Sequence, residues 1–192
     1  VVLPSYNGAR KLPVLTPLLA LLLARNGLPV LVHGTATEDR RVSSQDVLAA
    51  LDIAPMQALD EIEPGHVAFA PTALLLPGLE RLLDVRRTLG LRNSAHSLVK
   101  LMDPLSPVAG DSLIVGSYTH PEYAESMAAT IALTGSDALL LRGTEGEPVA
   151  DPKSMRHRLG AFEDTRVADV MVPRADIQAV EVTMLFSDLV RF

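Results

Sequence analysis

Short apolar runs that each stop at a polar loop are the feature that most constrains how this chain folds. Each run is three or four residues long, and its residues are continuously apolar rather than alternating with polar ones. Continuous apolar strands are typical of a parallel sheet whose two faces are both covered by helices. The five runs are Val1–Leu3, Pro29–Val32, Val67–Ala70, Leu113–Gly116 and Ala138–Leu141.

Helical patterns separate these runs, and their ends carry residues that start or stop helices. Three of the four patterns are followed within two residues by a glycine, and the other begins after Ser43 and Ser44, which favour an N-cap. The alternation of strands and helices predicts an α/β fold, with a mostly parallel sheet flanked by helices. The predicted helices are Leu15–Arg25, Val47–Leu51, Leu79–Leu89 and Pro121–Leu133.

The residue types present exclude several classes of protein. The 192 residues suffice for one ordinary domain, and the absence of cysteine excludes disulfides, thiolate metal sites and cysteine nucleophiles, which suits a reducing cytoplasm. The apolar segment Leu12–Leu23 is interrupted by Pro13 and Pro17, so it predicts a buried helix rather than a membrane span. Because Val1 already lies inside a strand pattern, we expect an N-terminal part of the protein to be missing from the chain.

Charge is distributed unevenly along the chain. The formal net charge is −6, which argues against a uniformly basic nucleic-acid-binding protein. Residues 1–152 contain 11 Lys and Arg against 17 Asp and Glu, whereas residues 153–192 contain six of each. Any basic surface on the first part must therefore be local.

Basic residues follow the predicted strands, at the edge where a parallel sheet gathers its loops. Loops at the carboxyl ends of parallel strands meet at one edge, and ligands bind there. We expect the segment "RNSAHSLVK" to add cations from a neighbouring connection, on one face if the segment is helical. The residues predicted for this edge are Arg10, Lys11, His33, Arg40, Arg41, His120 and Arg142, with Arg92 and Lys100 from that segment, in which a helix would also place His96 on the same face.

Each candidate also has an ordinary structural interpretation. The segment "SYNGARK", which has one glycine, is either a plain turn or a loop near an anion. Ser43 and Ser44 act either as a helix cap alone or as a cap that also contacts an anion. The cations of "RNSAHSLVK" are alternatively part of a solvated helix face. Glu145 and Glu147 are more typical of a solvated turn than of half a metal site.

Several segments, taken together and in order, resemble a known family. They are "LPSYNGARK", "LTPLLALLLARNGLPVLVHG", "LGLRNSAHSLVKL", "YTHPEY" and "ALLLRGTEGE". They resemble the YbiB family, whose members are paralogues of anthranilate phosphoribosyltransferase within the glycosyltransferase family 3 fold. The resemblance covers about residues 1–152. It implies the large α/β domain of a homodimeric protein whose small N-terminal helical domain is absent here.

The segments that would bind substrate in the enzymes of this fold are altered in this chain. The enzymes follow the first strand with a Gly-Thr-Gly-Gly-Asp loop that binds phosphoribosyl pyrophosphate, and "PSYNGARK" stands in its place. Val32 replaces a lysine of the enzymes, and "GTEGEPV" lacks their adjacent Asp-Glu pair that holds magnesium. The residues of the enzyme pattern that this chain keeps are His33, Gly34, Arg41, Ser43, Ser44 and Arg92.

The end of the chain resembles a different family. The stretch "TRVADVMVPRADIQAVEVTMLFSDLVRF", residues 165–192, resembles the opening of the CBS-domain pair in CorC/hemolysin C-type proteins. The chain stops inside the first motif of that pair. We therefore expect residues 153–192 to be an incomplete CBS-like segment without a nucleotide cleft, arising either from a fusion or from a misassembled or truncated reading frame.

Together these features predict a catalytically silent transferase paralogue that binds nucleic acid. The resemblance to the YbiB family implies binding through a basic groove and a homodimer, and we expect a cytoplasmic protein with no cofactor and no membrane contact. One alternative is an active phosphoribosyltransferase that uses magnesium and phosphoribosyl pyrophosphate, and another is a CBS-type module that senses adenine nucleotides. The predicted phosphate-binding residues are Arg10, Lys11, His33, Arg41, Ser43, Ser44, Arg92, Lys100 and Arg142.

Overall fold

A computed structural model describes residues 1–8, 14–106, 111–118 and 121–142 of the chain. In this part of the chain, five strands alternate with helices. The strands are β1 (Val2–Pro4), β2 (Val30–Gly34), β3 (Val67–Pro71), β4 (Ile114–Tyr118) and β5 (Ala138–Arg142). The helices are α1 (Thr16–Arg25), α2 (Ser44–Ala49), α3 (Thr72–Leu75), α4 (Pro77–Leu89), α5 (Ala95–Leu98) and α6 (Pro121–Thr134), and a 3-10 turn (Val99–Leu101) follows α5.

The five strands form one parallel sheet in the order β3-β2-β1-β4-β5. The chain adds β2 and β3 on one side of β1 and then crosses to the other side to add β4 and β5. The strand order therefore reverses between β1 and β4, where Val2 pairs with Ile114. Loops that leave the sheet at such a reversal diverge and open a crevice at the carboxyl ends of the strands. The predicted α/β fold with a mostly parallel sheet is confirmed.

Residues on alternate sides of the strands bury both faces of the sheet. Leu3, Val32 and Phe69 pack with Ala20 of α1 on one face. Val2, Leu31 and Ile114 pack together on the other face. The continuous apolar runs of the sequence are explained by this double burial, because neighbouring residues of a strand point to opposite faces.

Capping residues set the limits of two helices where the sequence predicted them. The Ser43 Oγ accepts a hydrogen bond from the Asp46 amide at 3.2 Å, and the Asp46 carboxylate accepts the Ser43 amide at 2.8 Å. This reciprocal capping box begins α2. Gly90 ends α4 in the left-handed conformation, with φ of 71°, which glycine adopts without the steric cost of a β-carbon.

The segment 92–100 does not form the continuous helix that would place its basic residues on one face. Arg92 lies before α5, His96 is buried within α5, and Lys100 lies in the 3-10 turn after it. The Asn93 side-chain oxygen accepts the amide of Ala95 at 3.0 Å. Such a local bond replaces a helical one and delays the start of the helix, so the condition for a shared helical face is not met at Arg92.

Gly34, at the end of β2, lies against the backbone that follows β1. The Ser5 amide donates to the His33 carbonyl at 2.8 Å, which holds Ser5 beside β2. A β-carbon at Gly34 would lie 2.0 Å from the Ser5 carbonyl oxygen. This distance is far inside van der Waals contact, so only glycine allows the chain after β1 to remain bonded to β2.

Replacing Gly34 with alanine is expected to lower the free energy of unfolding by roughly 3 kcal/mol, because the Ser5 backbone must move. Denaturant unfolding measures the change. Gly78→Ala is the matched control, since a β-carbon there would meet no atom within 4 Å. The control should stay within about 1 kcal/mol of the parent protein. Equal stability of the two variants would contradict the close approach of Gly34 and Ser5.

Some predictions about the organisation of the chain concern residues outside the described part. The boundary near residue 152 and the CBS-like stretch 165–192 both lie there. Among the described residues, no helix is both long enough and apolar enough to cross a membrane.

Candidate functional site

A small cleft lies at the carboxyl ends of β1 and β4, where the strand order reverses. Its volume is about 70 Å³, roughly twice the ~30 Å³ that one water molecule occupies in the liquid. The 3-10 turn closes one side of it, because this turn contacts β1, β4 and α6. The residues that line the cleft include Ser5, Tyr6, Asn7, Thr16, Lys100 and Ser117.

Tyr6 turns inward from the loop after β1 and becomes part of the core. Its side chain is 4% exposed and packs against Leu83 of α4 and Val99 of the 3-10 turn. Its hydroxyl lies 2.8 Å from the Nδ1 of His33 and accepts a hydrogen bond from the Thr72 hydroxyl at 3.2 Å. The residues after β1 therefore fill the space under the edge with an aromatic side chain.

His33 is a buried residue of β2, whereas the sequence assigned it to the loop after that strand. Its side chain is fully buried. Burial lowers the pKa of His33 to about 4, against smaller opposing effects of the Met102 backbone and the Asp103 carboxylate. His33 is uncharged at neutral pH and offers no positive charge to a ligand.

Arg41 is held by groups of its own chain. Its Nε lies 2.5 Å from one carboxylate oxygen of Glu38, and its Nη1 donates to the Gly8 carbonyl at 3.3 Å. Arg86 of α4 pairs with the other oxygen of Glu38. These contacts tie the loop after β2 to α4 and to the residues after β1. A ligand anion must compete with Glu38 for Arg41.

The two serines before α2 have structural partners. The Ser43 hydroxyl is engaged in the capping box, and the Ser44 hydroxyl lies 2.6 Å from that of Ser5. Both serines are buried. Their bonds join the start of α2 to the loop after β1.

Positive charge gathers on the side of the cleft formed by α5 and the 3-10 turn. Arg92 is exposed, and its guanidinium donates to the Asn7 side-chain oxygen at 3.2 Å. Lys100 is half-buried and has no ion pair among the described residues. Burial, and then the charge of Arg92, lowers the pKa of Lys100. The pKa of His96 is also lowered, first by burial and then by the charges of Arg86, Arg92 and Lys100. The potential here is positive.

Several residues predicted for the edge lie outside the described part of the chain. They include Arg10, Lys11 and His120, together with the carboxylates Glu145 and Glu147. Arg142 ends β5, and only its backbone is described. Arg40 is exposed. Within the described ranges, no three His, Asp or Glu side chains converge so as to hold a metal ion.

Sequence reasoning did not find the contacts that organise this edge. Arg86 lies in the last turn of α4, and its partner Glu38 is 48 residues away, so no local signal connects them. Thr72 follows β3, and its bond to Tyr6 spans 66 residues. Tyr6 was visible as an aromatic residue directly after the first strand, but its inward direction depends on the helices that cover it.

Comparison with known proteins gives the relationships of the chain. No protein-family model matches it. It is 41% identical over 157 residues to the uncharacterized protein YbiB of Escherichia coli (strain K12), a match that covers 80% of this chain and 48% of that protein. It is 30% identical over 131 residues to the anthranilate phosphoribosyltransferase of Synechocystis, covering 66% of this chain and 36% of the enzyme. The chain is thus similar in sequence to YbiB and to the anthranilate phosphoribosyltransferases.

A solved structure has the same fold. The crystal structure of anthranilate phosphoribosyltransferase from Thermus thermophilus matches with a TM-score of 0.54 at 24% sequence identity, over 76% of this chain and 45% of that chain. The α/β fold that the resemblance implied is thereby confirmed. The chain spans less than half of the length of each of these relatives.

The buried His33 is expected to make stability depend on pH below neutrality. An unfolded histidine takes up its proton near pH 6.5, whereas the folded chain holds His33 neutral down to about pH 4. Stability therefore falls as the pH drops through this window, and the free energy of unfolding at pH 5 should be about 2 kcal/mol below its value at pH 7.

Denaturant unfolding across this pH range tests the effect. His33→Gln should flatten the slope, whereas His66→Gln should preserve it, because His66 is an exposed histidine, with 69% of its side chain accessible. The same slope in both variants would show that His33 is not the group responsible.

Proposed function

We propose that this protein binds phosphate groups of nucleic acid at the cleft between β1 and β4 and does not catalyse phosphoribosyl transfer. The observation that carries the proposal is Lys100, a half-buried cation beside Arg92 that has no ion pair among the described residues. A partly desolvated ammonium gains more from an anionic ligand than a hydrated one does. Its position at the reversal of strand order is where ligands of α/β sheets bind.

Contacts to phosphates rather than to bases fit the residue types at this edge. Base stacking needs accessible aromatic rings. Of the two tyrosines expected at this edge, Tyr6 is buried and bonded to His33, which leaves only the half-buried Tyr118 at the end of β4. Binding of this kind is only weakly selective for sequence and falls steeply with salt. We include Arg10, Lys11 and Arg142 as further phosphate contacts, because in the sequence they lie at or after the ends of strands that finish at this edge.

Three features support catalytic silence. The enzymes of this fold place a glycine-rich loop after the first strand, whereas the residues after β1 in this chain include Tyr6, whose side chain is buried in the core. The cleft, at about 70 Å³, is also well below the ~300 Å³ at the lower end of ordinary small-molecule sites. Val32, which stands where the enzymes have a lysine, is fully buried in the apolar core.

We assign binding to residues 1–152 of a homodimeric, cytoplasmic protein without a cofactor, and we interpret residues 165–192 as an incomplete CBS-like segment. The domain assignment, the homodimer and the CBS-like segment are inferred from the sequence resemblances. Saturable binding of adenine nucleotides by the chain would favour the regulatory alternative instead.

The chain is expected to show no turnover of anthranilate and phosphoribosyl pyrophosphate in the presence of magnesium. Without a backbone cradle for the diphosphate, the charge that develops on the leaving group is not stabilised. Loss of anthranilate fluorescence measures the reaction, and the Thermus thermophilus enzyme serves as the positive control. Magnesium-dependent turnover above a protein-free blank would establish the transferase alternative.

The double variant Arg92→Ala with Lys100→Met removes both charges. We expect it to weaken the binding of oligonucleotides of every sequence to a similar degree. The slope of log affinity against log salt should become shallower by roughly 1.5, since each lost phosphate contact contributes about 0.7–0.9. Fluorescence anisotropy at low and moderate salt measures both effects. The same comparison with Arg10→Ala and Lys11→Ala tests the loop after β1.

Arg25→Ala is the matched control for this experiment. Arg25 is exposed at the end of α1, directly before β2, and therefore lies at the opposite edge of the sheet. Its loss changes the net charge without touching the cleft, so affinity should change much less than in the double variant. Identical curves for the control and the double variant would exclude the cleft as the binding site.

A further inference from the structure

Two hydroxyl groups line the same cleft as Lys100 and have capacity left for a ligand. Thr16, at the first turn of α1, and Ser117, at the end of β4, both line the cleft. Neither hydroxyl has a hydrogen-bond partner among the described residues. The cleft thus combines one cation with two available hydroxyl donors, while Arg92 adds a second positive charge close to Lys100.

The cleft accommodates a small anionic group. It encloses about 70 Å³ and is open to solvent, so a single tetrahedral group fits into it. An internal phosphodiester has nucleosides on two of its oxygens and presents only the other two to the cleft. A terminal phosphate monoester has one such substituent and presents three oxygens to the interior.

Charge distinguishes the same two groups. A phosphate monoester carries about −1.5 to −2 at pH 7, because its second pKa is near 6, whereas a phosphodiester carries a single negative charge. The charges of Arg92 and Lys100, which lie close to each other, give this side of the cleft a positive potential. The more highly charged ligand gains more from such a potential.

We propose that the cleft binds a terminal phosphate monoester, so that the protein prefers phosphorylated ends of nucleic acid to internal phosphodiesters. This inference rests on the proposed function and specifies the ligand of that same site. The 5′ and the 3′ phosphate share the required chemistry, and inorganic phosphate is its smallest form.

Three oligonucleotides of one sequence test the inference. One carries a 5′ phosphate, one a 3′ phosphate and one hydroxyls at both ends, and each has its fluorophore at an internal base so that both ends are free. At least one phosphorylated form should bind the full chain about fivefold more tightly than the hydroxyl form, as one additional charge contact provides. The oligonucleotide with the increased affinity identifies which end enters the cleft. Inorganic phosphate should compete with that end and abolish the increase in affinity.

Lys100→Met and Arg25→Ala are compared with the parent chain in the same titrations. Methionine keeps the apolar stem of Lys100 and removes only its charge, so the preference should disappear while weak, salt-dependent binding persists. Arg25→Ala should keep the preference, because Arg25 lies at the opposite edge of the sheet. Circular dichroism of both variants verifies that they are folded.

Each result separates this inference from the proposed function. Equal affinity for the three oligonucleotides, with steep salt dependence, would overturn the preference for ends and leave phosphate-backbone binding intact. A preference that survives in folded Lys100→Met would also overturn it, because the cleft would not be its source. If no oligonucleotide binds, the proposed function itself fails. Titration calorimetry with inorganic phosphate would then show whether the cleft binds a phosphate at all. If the parent chain and Lys100→Met give the same result, the inference is overturned as well.

Discussion

The hydrogen bond between the Tyr6 hydroxyl and His33 connects the parts of the molecule that form the site. Tyr6 follows β1, His33 belongs to β2, and Thr72, the third member of the group, begins α3. A buried polar group without a partner costs about 1–3 kcal/mol, so the three side chains fix one another's positions. The helices α4 and α5 pack on the Tyr6 ring, so the hydrogen bond that fixes Tyr6 also helps to position these helices over the sheet.

Charge at the carboxyl edge is divided between two sides with different roles. On the side of β2, Arg41 and Arg86 share Glu38, and Arg87 pairs with Asp39 and Asp84, so these cations join the loop to α4. On the side of the 3-10 turn, Lys100 is left without a carboxylate among the described residues. Exposed charges are screened beyond about 10 Å at 0.1 M salt. A local positive side therefore coexists with a formal net charge of −6.

The sequence predicted those parts of the structure that depend on local patterns. Continuous apolar runs and glycines after helices located the strands and helices, and Ser43 was correctly placed as an N-cap. The end of β2 was missed, because His33 and Gly34 interrupt the apolar pattern and are buried only through contacts with distant residues. The arrangement around Lys100 was also beyond local reasoning, since it depends on a 3-10 turn packed against β1 and β4.

The inward direction of Tyr6 has a consequence for substitutions in this loop. Substituting glycines into the loop after β1 would not by itself create an open backbone cradle. Removal of a buried aromatic side chain leaves a cavity, which typically costs about 3–5 kcal/mol, and here it would also leave His33 and Thr72 without their shared partner. A glycine-rich loop at this position would thus require simultaneous repacking of Leu83 and Val99. Single substitutions of Tyr6 therefore carry a large cost in stability.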